Sequence, residues 1–577
     1  MIIRSEIESA IHRLMCILFG LCVYAYTQGQ IIESISNEGV YELLDELVSY
    51  HVIDANPAIK PYSRRFIASR LHDAQLADSL LSHRLRKEVA FYLNDYALEL
   101  DTLPSNWVQY THDSNLALSL AQPSLQYSNA WQVNNLHKRF TMMVRPVLGA
   151  QMTTNMRDVQ TEHRWGAEIQ MDICSHLSIW GKLFAQSNVY HPKGSGFVEP
   201  IYEWSHSTGG ISLYTWWGSI GLQKEAIRWG NAQYASIIQS GIAPSFPMLT
   251  LKLTPARWLE FNYFHAWLTP DAIDTTFFPP AEATYMPERK YMAANMITFM
   301  PIKYLELSFG NSIVYAERNI QLAYLIPIAF YKSLDHLLTK GVWTQNQNSQ
   351  MFLTLSTRNL KHLYVYGSLF VDEFELARLK KSNPETNPLT YQVGLAVQNW
   401  PLDGLRLRGE FMRSYIASYV NQVNALYYSS GESYLGHPLR DNAQSIYAEI
   451  GFKPIRGLDL LCSYTNDTRF NQYHSYYRDG SLARKSFDEK VWRNQIFELR
   501  VRYEIFNRCY ASVVVKYNFA QGFAPTSEPI DSEDRGQKYK EQPLTGDALA
   551  EYYITKYSSL MERGRNVSLN IGLYYNF

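Results

Sequence analysis

Residues 566–577 read NVSLNIGLYYNF. Val567, Leu569, Ile571, Leu573, Tyr575 and Phe577 alternate with Ser568, Asn570, Gly572, Tyr574 and Asn576, so an extended chain here has one apolar face and one small or polar face. A period of two kept up to a terminal Phe, with aromatics crowded at the end, is the pattern of a strand with lipid on one side and a polar lumen on the other. An edge strand of a soluble sheet shares that alternation. The rest of the chain has to decide between them.

Composition favours the membrane. The chain has 577 residues, with 42 Tyr against 26 Phe and 13 Trp, a formal net charge of -1 and a slightly negative mean hydropathy of -0.25. That suits a wall apolar outside and polar inside, with aromatic girdles at the two interfaces. A neutral balance also excludes a general nucleic-acid binder, which would carry a basic surplus. Beyond the N-terminus no run reaches the ~18 apolar residues of a helical span, so membrane insertion has to use strands. The N-terminus itself carries Arg4 and Arg13 and then an apolar run over residues 14–26, which reads as a signal peptide over residues 1–29. Cys16 and Cys22 would leave with it. The remaining Cys174, Cys462 and Cys509 are too scattered for a disulfide framework or a zinc site.

Residues 30–100 switch to a helical period. Tyr41, Leu44 and Val48 share one face after the polar Ser36 and Asn37; Pro57 and Pro61 interrupt; Ser63 is placed to cap a helix carrying Ile67 and Leu71. Leu81, Leu85, Val89, Tyr92 and Tyr96 mark a third helix. This is expected to be a small helical domain on the periplasmic side or in the barrel mouth. A connecting segment, residues 101–135, leads to period-two patterning that fills residues 136–577.

Tight turns recur in that region: Pro255-Ala-Arg-Trp-Leu259, Pro301-Ile-Lys-Tyr-Leu305, Pro401-Leu-Asp-Gly-Leu405 and Pro454-Ile-Arg-Gly-Leu458, with similar bends near Ser175, Asn359 and Asn507. Around Pro454, Ile446, Ala448, Ile450 and Phe452 precede and Leu458, Leu460, Cys462 and Tyr464 follow, all on one parity. Short turns alternate with long connections, and roughly 430 residues at about 25 per strand predict a transmembrane antiparallel β-barrel of about 16–18 strands. The long connections over 415–441, 467–492 and 519–565 are expected to face the exterior. A propeller or solenoid would not explain the short/long alternation.

Catalytic signatures are missing: the sequence has no GxSxG elbow, HExxH or P-loop, and Gly194-Ser195-Gly196 falls in a loop with no partner to activate the serine. No metal or cofactor is expected. Two polar clusters stand out in the wall: Lys224, Glu225, Arg228 and Trp229, and the pair Asp372 and Glu373. They either hold a polar solute or polymer, or brace the lumen by mutual neutralisation. Tyrosine-rich loops supply a third candidate set: Tyr415, Tyr419, Tyr427, Tyr428 and Tyr434 in one, Tyr473, Tyr476 and Tyr477 in another. Such rings suit the apolar faces of sugars, and equally an interfacial girdle.

Several stretches, in order and spacing, resemble the Wzi-type capsule-assembly outer-membrane family in its Bacteroidetes form. They are Leu43-Leu-Asp-Glu-Leu47, Pro61-Tyr-Ser-Arg64, Arg228-Trp-Gly230, Ala243-Pro-Ser-Phe-Pro247 and residues 258–268 (WLEFNYFHAWL). Lys290-Tyr-Met-Ala-Ala294, Ala323-Tyr-Leu-Ile-Pro327 and Asp372-Glu-Phe374 continue the series. The resemblance implies a barrel of about 18 strands with a periplasmic helical bundle, and a non-enzymatic role in binding exopolysaccharide to assemble or attach capsule. Relatives linked to gliding motility and surface-protein export make an assembly component of a motility or secretion machine one alternative; a porin-like diffusion channel is another. The expected partners are outer-membrane lipid, surface polysaccharide and, through the helical domain, periplasmic or secretion/motility proteins. The expected state is a monomer in the bacterial outer membrane.

Overall fold

The computed structural model describes residues 31–100 and most of 108–576. Outside the description lie 1–30, 101–107, 192–201, 271–288, 339–346, 373–387, 471–486, 524–563, 577 and short stretches between them. The expected signal peptide, Cys174, Glu373, Tyr473, Tyr476, Tyr477 and the terminal Phe577 therefore fall outside the described residues.

Eighteen antiparallel strands close into a barrel. We number them β1 (Leu136–Thr154), β2 (Val159–Ile173), β3 (Leu177–His191), β4 (Thr208–Thr215), β5 (Gly218–Glu225), β6 (Phe246–Ala256) and β7 (Leu259–Leu268). There follow β8 (Lys290–Ile302), β9 (Leu305–Ala316), β10 (Gln347–Thr357), β11 (Leu363–Asp372), β12 (Leu389–Gln398) and β13 (Leu405–Ser414). The last five are β14 (Ala443–Phe452), β15 (Leu458–Phe470), β16 (Lys490–Phe506), β17 (Cys509–Gly522) and β18 (Gly564–Tyr575). β18 closes on β1, with Leu569 opposite Thr154 and Tyr575 opposite Leu148. The period of two fixes what each face meets: Val567, Ile571 and Leu573 are exposed on the outer wall, while Tyr574 on the opposite parity bonds to the inward Gln151. The connecting segment is not all linker, since Ser124–Val133 extends the sheet by pairing with the first half of β1.

The proline turns form as read. Pro255 and Pro301 sit where the β6–β7 and β8–β9 registers shift, just before the two-residue turns, where a missing N–H costs no ladder bond.

Three helices precede the barrel: α1 (Glu38–Ser49), α2 (Arg64–Leu76) and α3 (His83–Asp95). The Ser63 hydroxyl accepts from the Phe66 N–H and that of Ser82 from the Leu85 N–H, capping α2 and α3. Val40, Leu43, Leu44, Leu47, Ile67, Leu71, Leu85 and Val89 bury together as the core of this helical region.

The helices sit on the ring of tight turns, which by the general rule for such barrels faces the periplasm. His51 stacks on Tyr304 of the β8–β9 turn at 4.1 Å, and Asp45 pairs with Arg358 after β10 at 2.7 Å. Arg84 bridges Glu46 to Asp403 of the β12–β13 turn, and Glu42 meets Lys453 after β14 at 3.0 Å. Arg508, in the β16–β17 turn, reaches Glu33 at 2.7 Å and Asp95 at 3.0 Å. Arg64, only 1 % exposed at its side chain, is held by Glu33, Asp95 and Glu99.

Candidate functional site

The lumen is crossed by two segments that period-two reading treats as connections. Residues 227–245, between β5 and β6, leave the wall and run inward. Arg228 and Trp229 pair with Lys60 and Ile59 of the helical region, so the two meet inside the barrel. Gly230 then turns the chain at φ +108, and the Ser236 hydroxyl occupies the space that a Cβ there would need. Farther on, Tyr234 stacks flat on Tyr447 of β14 at 4.1 Å. In an eighteen-strand ring β14 lies opposite β5, so only a path across the lumen makes that contact.

Two buried carboxylates of the wall hold this crossing. Glu410 on β13 accepts from the Tyr366 hydroxyl at 2.5 Å, from the N–H groups of Gln233 and Tyr234 at 2.6 Å each, and from Gln392 Nε2 at 2.9 Å. Glu306 on β9 accepts from Asn231 Nδ2 at 2.6 Å, Thr354 Oγ1 at 2.9 Å and Ser356 Oγ at 3.0 Å. In addition, the Tyr364 hydroxyl donates to the Asn231 carbonyl and Gln392 Nε2 to that of Ala235. Backbone that leaves a sheet must find such partners or lie in water.

The second segment, residues 415–442 between β13 and β14, folds down onto the first. Tyr419 Oη donates to the Ile237 carbonyl at 2.8 Å, the Ser240 N–H to the Leu435 carbonyl at 2.7 Å, and Gln239 Nε2 to Tyr428 Oη at 3.0 Å. The result is one apolar core inside the barrel. Trp229, Ile237, Ile238, Tyr419, Tyr428, Leu435 and Leu439 pack with the inward Met248 (β6), Phe264 (β7), Met292 (β8), Val314 (β9), Phe352 (β10), Phe370 (β11), Met412 (β13), Trp492 (β16) and Ala520 (β17).

The sequence candidates separate on this geometry. Trp229 is central to the core, edge-on to Phe264 and Phe352. Arg228 braces the crossing through the carbonyls of Ala232 and Tyr234. Glu225 is buried and inward, accepting from Trp180 Nε1 at 3.2 Å, whereas Lys224 falls on the outward parity of Ile220 and Leu222. Asp372 accepts from the Tyr419 N–H at 3.0 Å and from Gln350 Nε2 at 3.3 Å, fixing the upper segment to β11.

The tyrosines do not act as one set. Tyr419 and Tyr428 are fully buried against Phe370 and close the lumen, which corrects the expectation that this whole loop displays its rings to the exterior. The reason is compositional: Ile416, Ala417, Val420, Leu426, Leu435 and Leu439 need burial, and the lumen supplies it. Tyr415, Tyr427 and Tyr434 keep partial exposure at the same end; Tyr415 meets Phe487 edge-on and Tyr434 lies beside Arg440. Glu306, Glu410, Tyr234 and the Ile237-Ile238 pair escape sequence reading. The available signal was a run of residues 226–245 with several large apolar side chains and neither strand nor helix period. Among the described residues no cluster of His, Cys, Asp or Glu could hold a metal ion.

The helical region's charges are set by burial against pairing. Burial alone would raise the Asp45 carboxyl, but Lys60 and Arg358 outweigh it and hold it well below the usual carboxylate range. Asp95 is likewise depressed, its desolvation overcome by Arg145, Arg508 and Arg64, as is Glu42 by Lys453, Arg406 and Arg502. Glu88 goes the other way, raised by burial.

Neither any protein-family model nor any curated protein matches this sequence. Among solved structures, the fold is similar to that of Wzi of Escherichia coli, an outer-membrane protein involved in group 1 capsule assembly and described as a carbohydrate-binding β-barrel. The match has a TM-score of 0.54 at 11% identity and covers 95% of this chain and 99% of that one. The OprD barrel of Pseudomonas aeruginosa also matches, with a TM-score of 0.40 at 10% identity over 75% of this chain and 94% of that one. The first likeness shows a shared fold. With the closed eighteen-strand wall, it places the chain in the bacterial outer membrane.

Proposed function

We propose that this chain is a non-enzymatic outer-membrane barrel that binds surface polysaccharide at its outer end and helps assemble or attach a capsule. The observation that carries the reading is the apolar core spanning the lumen between β6 and β17, with a helical region seated on the turns below it. A wall with so filled an interior is suited to holding something at its surface, and the likeness to a carbohydrate-binding barrel supports the same view. The half-exposed rings of Tyr415, Tyr427 and Tyr434 give sugars faces to stack on, each worth ~0.5–1.5 kcal/mol.

Titration of purified, heat-modifiable barrel with capsular and exopolysaccharide fractions of its own host tests this. We expect saturable binding that weakens about two- to tenfold for each ring changed to Ala. A folded barrel that binds none of those glycans would sink the proposal.

A second reading, attachment of a periplasmic partner of a motility or secretion machine, is favoured by Leu76 and Leu80. They stand 75% and 62% exposed around the end of α2. Leu76→Asp with Leu80→Asp should then abolish co-purification of periplasmic proteins with the inserted barrel. An unchanged set of partners would remove that reading.

A further inference from the structure

The described part of the connection between β9 and β10, residues 319–338, does not rise from the rim. It folds back over the outside of the wall. Strand parity separates the two sides: Phe264, Met292 and Val314 belong to the lumenal core, while Phe261, Tyr263, Tyr291, Ile313 and Tyr315 face outward and are buried by Tyr324, Leu334 and Tyr331 of the returning chain. That chain reads Leu322-Ala-Tyr-Leu-Ile-Pro-Ile-Ala-Phe330, nine residues without a charge, and leads into α4 (Tyr331–Leu338).

Several of its backbone groups are answered by the wall beneath. Asn295, outward on β8, donates through Nδ2 to the carbonyls of both Pro327 and Ala329 at 2.8 Å. Asn311 on β9 donates to Asn295 Oδ1 at 2.7 Å and accepts the Tyr331 N–H at 2.9 Å. Tyr263 Oη donates to the Tyr324 carbonyl at 3.0 Å, and Tyr315 Oη receives the Gln321 N–H at 3.3 Å. Pro327 brings no N–H of its own. Asparagines on the lipid side of a barrel are costly unless paired, and irregular backbone in hydrocarbon is tolerated only when its groups are satisfied internally. Here both asparagines are paired, and the backbone groups named above have partners.

The face turned away from the wall is apolar: Leu322 is 74% exposed, Ile326 52%, Ile328 73% and Phe330 40%. It continues the outer belt of Leu307, Phe309, Leu353 and Leu355 on the neighbouring strands. Asn295 lies about 18 Å above the β8–β9 turn, taking ~3.3 Å per residue and a ~40° tilt, whereas the apolar belt of such barrels is ~25 Å tall. The strap is thus within the upper half of the belt.

We infer that residues 322–330 form a strap embedded in the outer leaflet, with Leu322, Ile326, Ile328 and Phe330 in contact with lipid acyl chains. Spin labels at Ile326 and Ile328, in a full chain whose native cysteines are replaced by serine, test this in vesicles of phosphatidylcholine and phosphatidylglycerol. Label at Leu355 on the wall supplies the lipid reference, and label at Lys361 in a periplasmic turn the aqueous one. Heat-modifiable migration verifies folding of each variant. We expect high collision rates with oxygen and a nickel-chelate accessibility at least about fivefold below that at Lys361. Accessibility to nickel like that of Lys361 would place the strap in water and overturn the inference. Shielding from both probes would mean that a second copy or another protein covers it, which overturns it equally.

Discussion

Four donors converge on Glu410, and the crossing of the lumen depends on them. Two are the backbone N–H groups of Gln233 and Tyr234, which have left every sheet and have no ladder to join; the others are Tyr366 Oη and Gln392 Nε2. Glu410→Ala removes the acceptor and leaves buried donors unsatisfied, at ~1–3 kcal/mol each. The strands that carry these groups are held by their own ladders, so the loss is expected in the crossing segment and not in the wall. Hydrogen exchange followed by mass spectrometry over residues 231–240 should therefore quicken about 10- to 100-fold in Glu410→Ala, while peptides of β13 and β14 stay protected. Unchanged exchange over 231–240 would show that the remaining contacts, among them Glu306, Tyr364 and Gln392, hold the segment without Glu410. Gln239 and Tyr428 give a milder case, because their hydrogen bond at 3.0 Å is one of several between the two crossing segments; Tyr428→Phe should cost only ~1 kcal/mol, read as a small fall in midpoint for thermal unfolding.

At the level of elements, α1 to α3 are fixed to the barrel mainly by ion pairs with its turns, and so their docking is expected to depend on pH. The carboxyls of Asp45, Asp95 and Glu42 are depressed when docked, whereas free carboxylates titrate near about 4. A group depressed in the folded state contributes its full stability above the undocked value and loses it progressively as pH falls below that value. Glu88, raised by burial, has the opposite sign and offsets a part of the loss on acidification. The helical region should thus hold from neutral pH down to about 5 and loosen between about 4 and 3. After correction for intrinsic rates, α1 amides should exchange at least tenfold faster at pH 3 than at pH 6, with the strands unaffected. Asp45→Asn should loosen α1 already at neutral pH, since Lys60 and Arg358 lose their charge partner. These helices, the turns and the strand parity were legible because each repeats a local signal: a cap at Ser63, proline before Ile302, alternation through β18. The crossing segments and the strap were not legible. Residues 227–245, 415–442 and 322–330 have no period, and each is placed by partners far away in sequence, such as Glu410, Phe370 and Asn295. The tyrosine loop shows the limit well, because identical residue types split into buried Tyr419 and Tyr428 and half-exposed Tyr415, Tyr427 and Tyr434.

Seen whole, the barrel has two barriers in series along its axis. The lumenal core joins walls from β6 to β17, and the helical region lies against the turns below it, tied to β1, β13 and β16 by Arg145, Arg406 and Arg502. Barriers in series give a specific logic for conduction, since removing either one leaves the other. The wild-type protein in a planar bilayer is expected to be silent. A variant with residues 231–240 and 416–440 replaced by short Gly-Ser linkers should stay close to silent at neutral pH, because the helices still cover the periplasmic mouth. The same variant at pH 3.5, where docking by Asp45, Asp95 and Glu42 weakens, should show discrete open steps, and wild-type protein at that pH should not. Steady steps from the wild type at neutral pH would mean that a polar path persists along the β18 to β5 wall, where the lumenal core contributes no residue from the strands themselves, and would turn the functional reading from attachment toward transport. Glycan titration on the linker variant locates the sugar: binding retained while a pore opens would assign it to the outer rim, and binding lost would assign it to the two crossing segments.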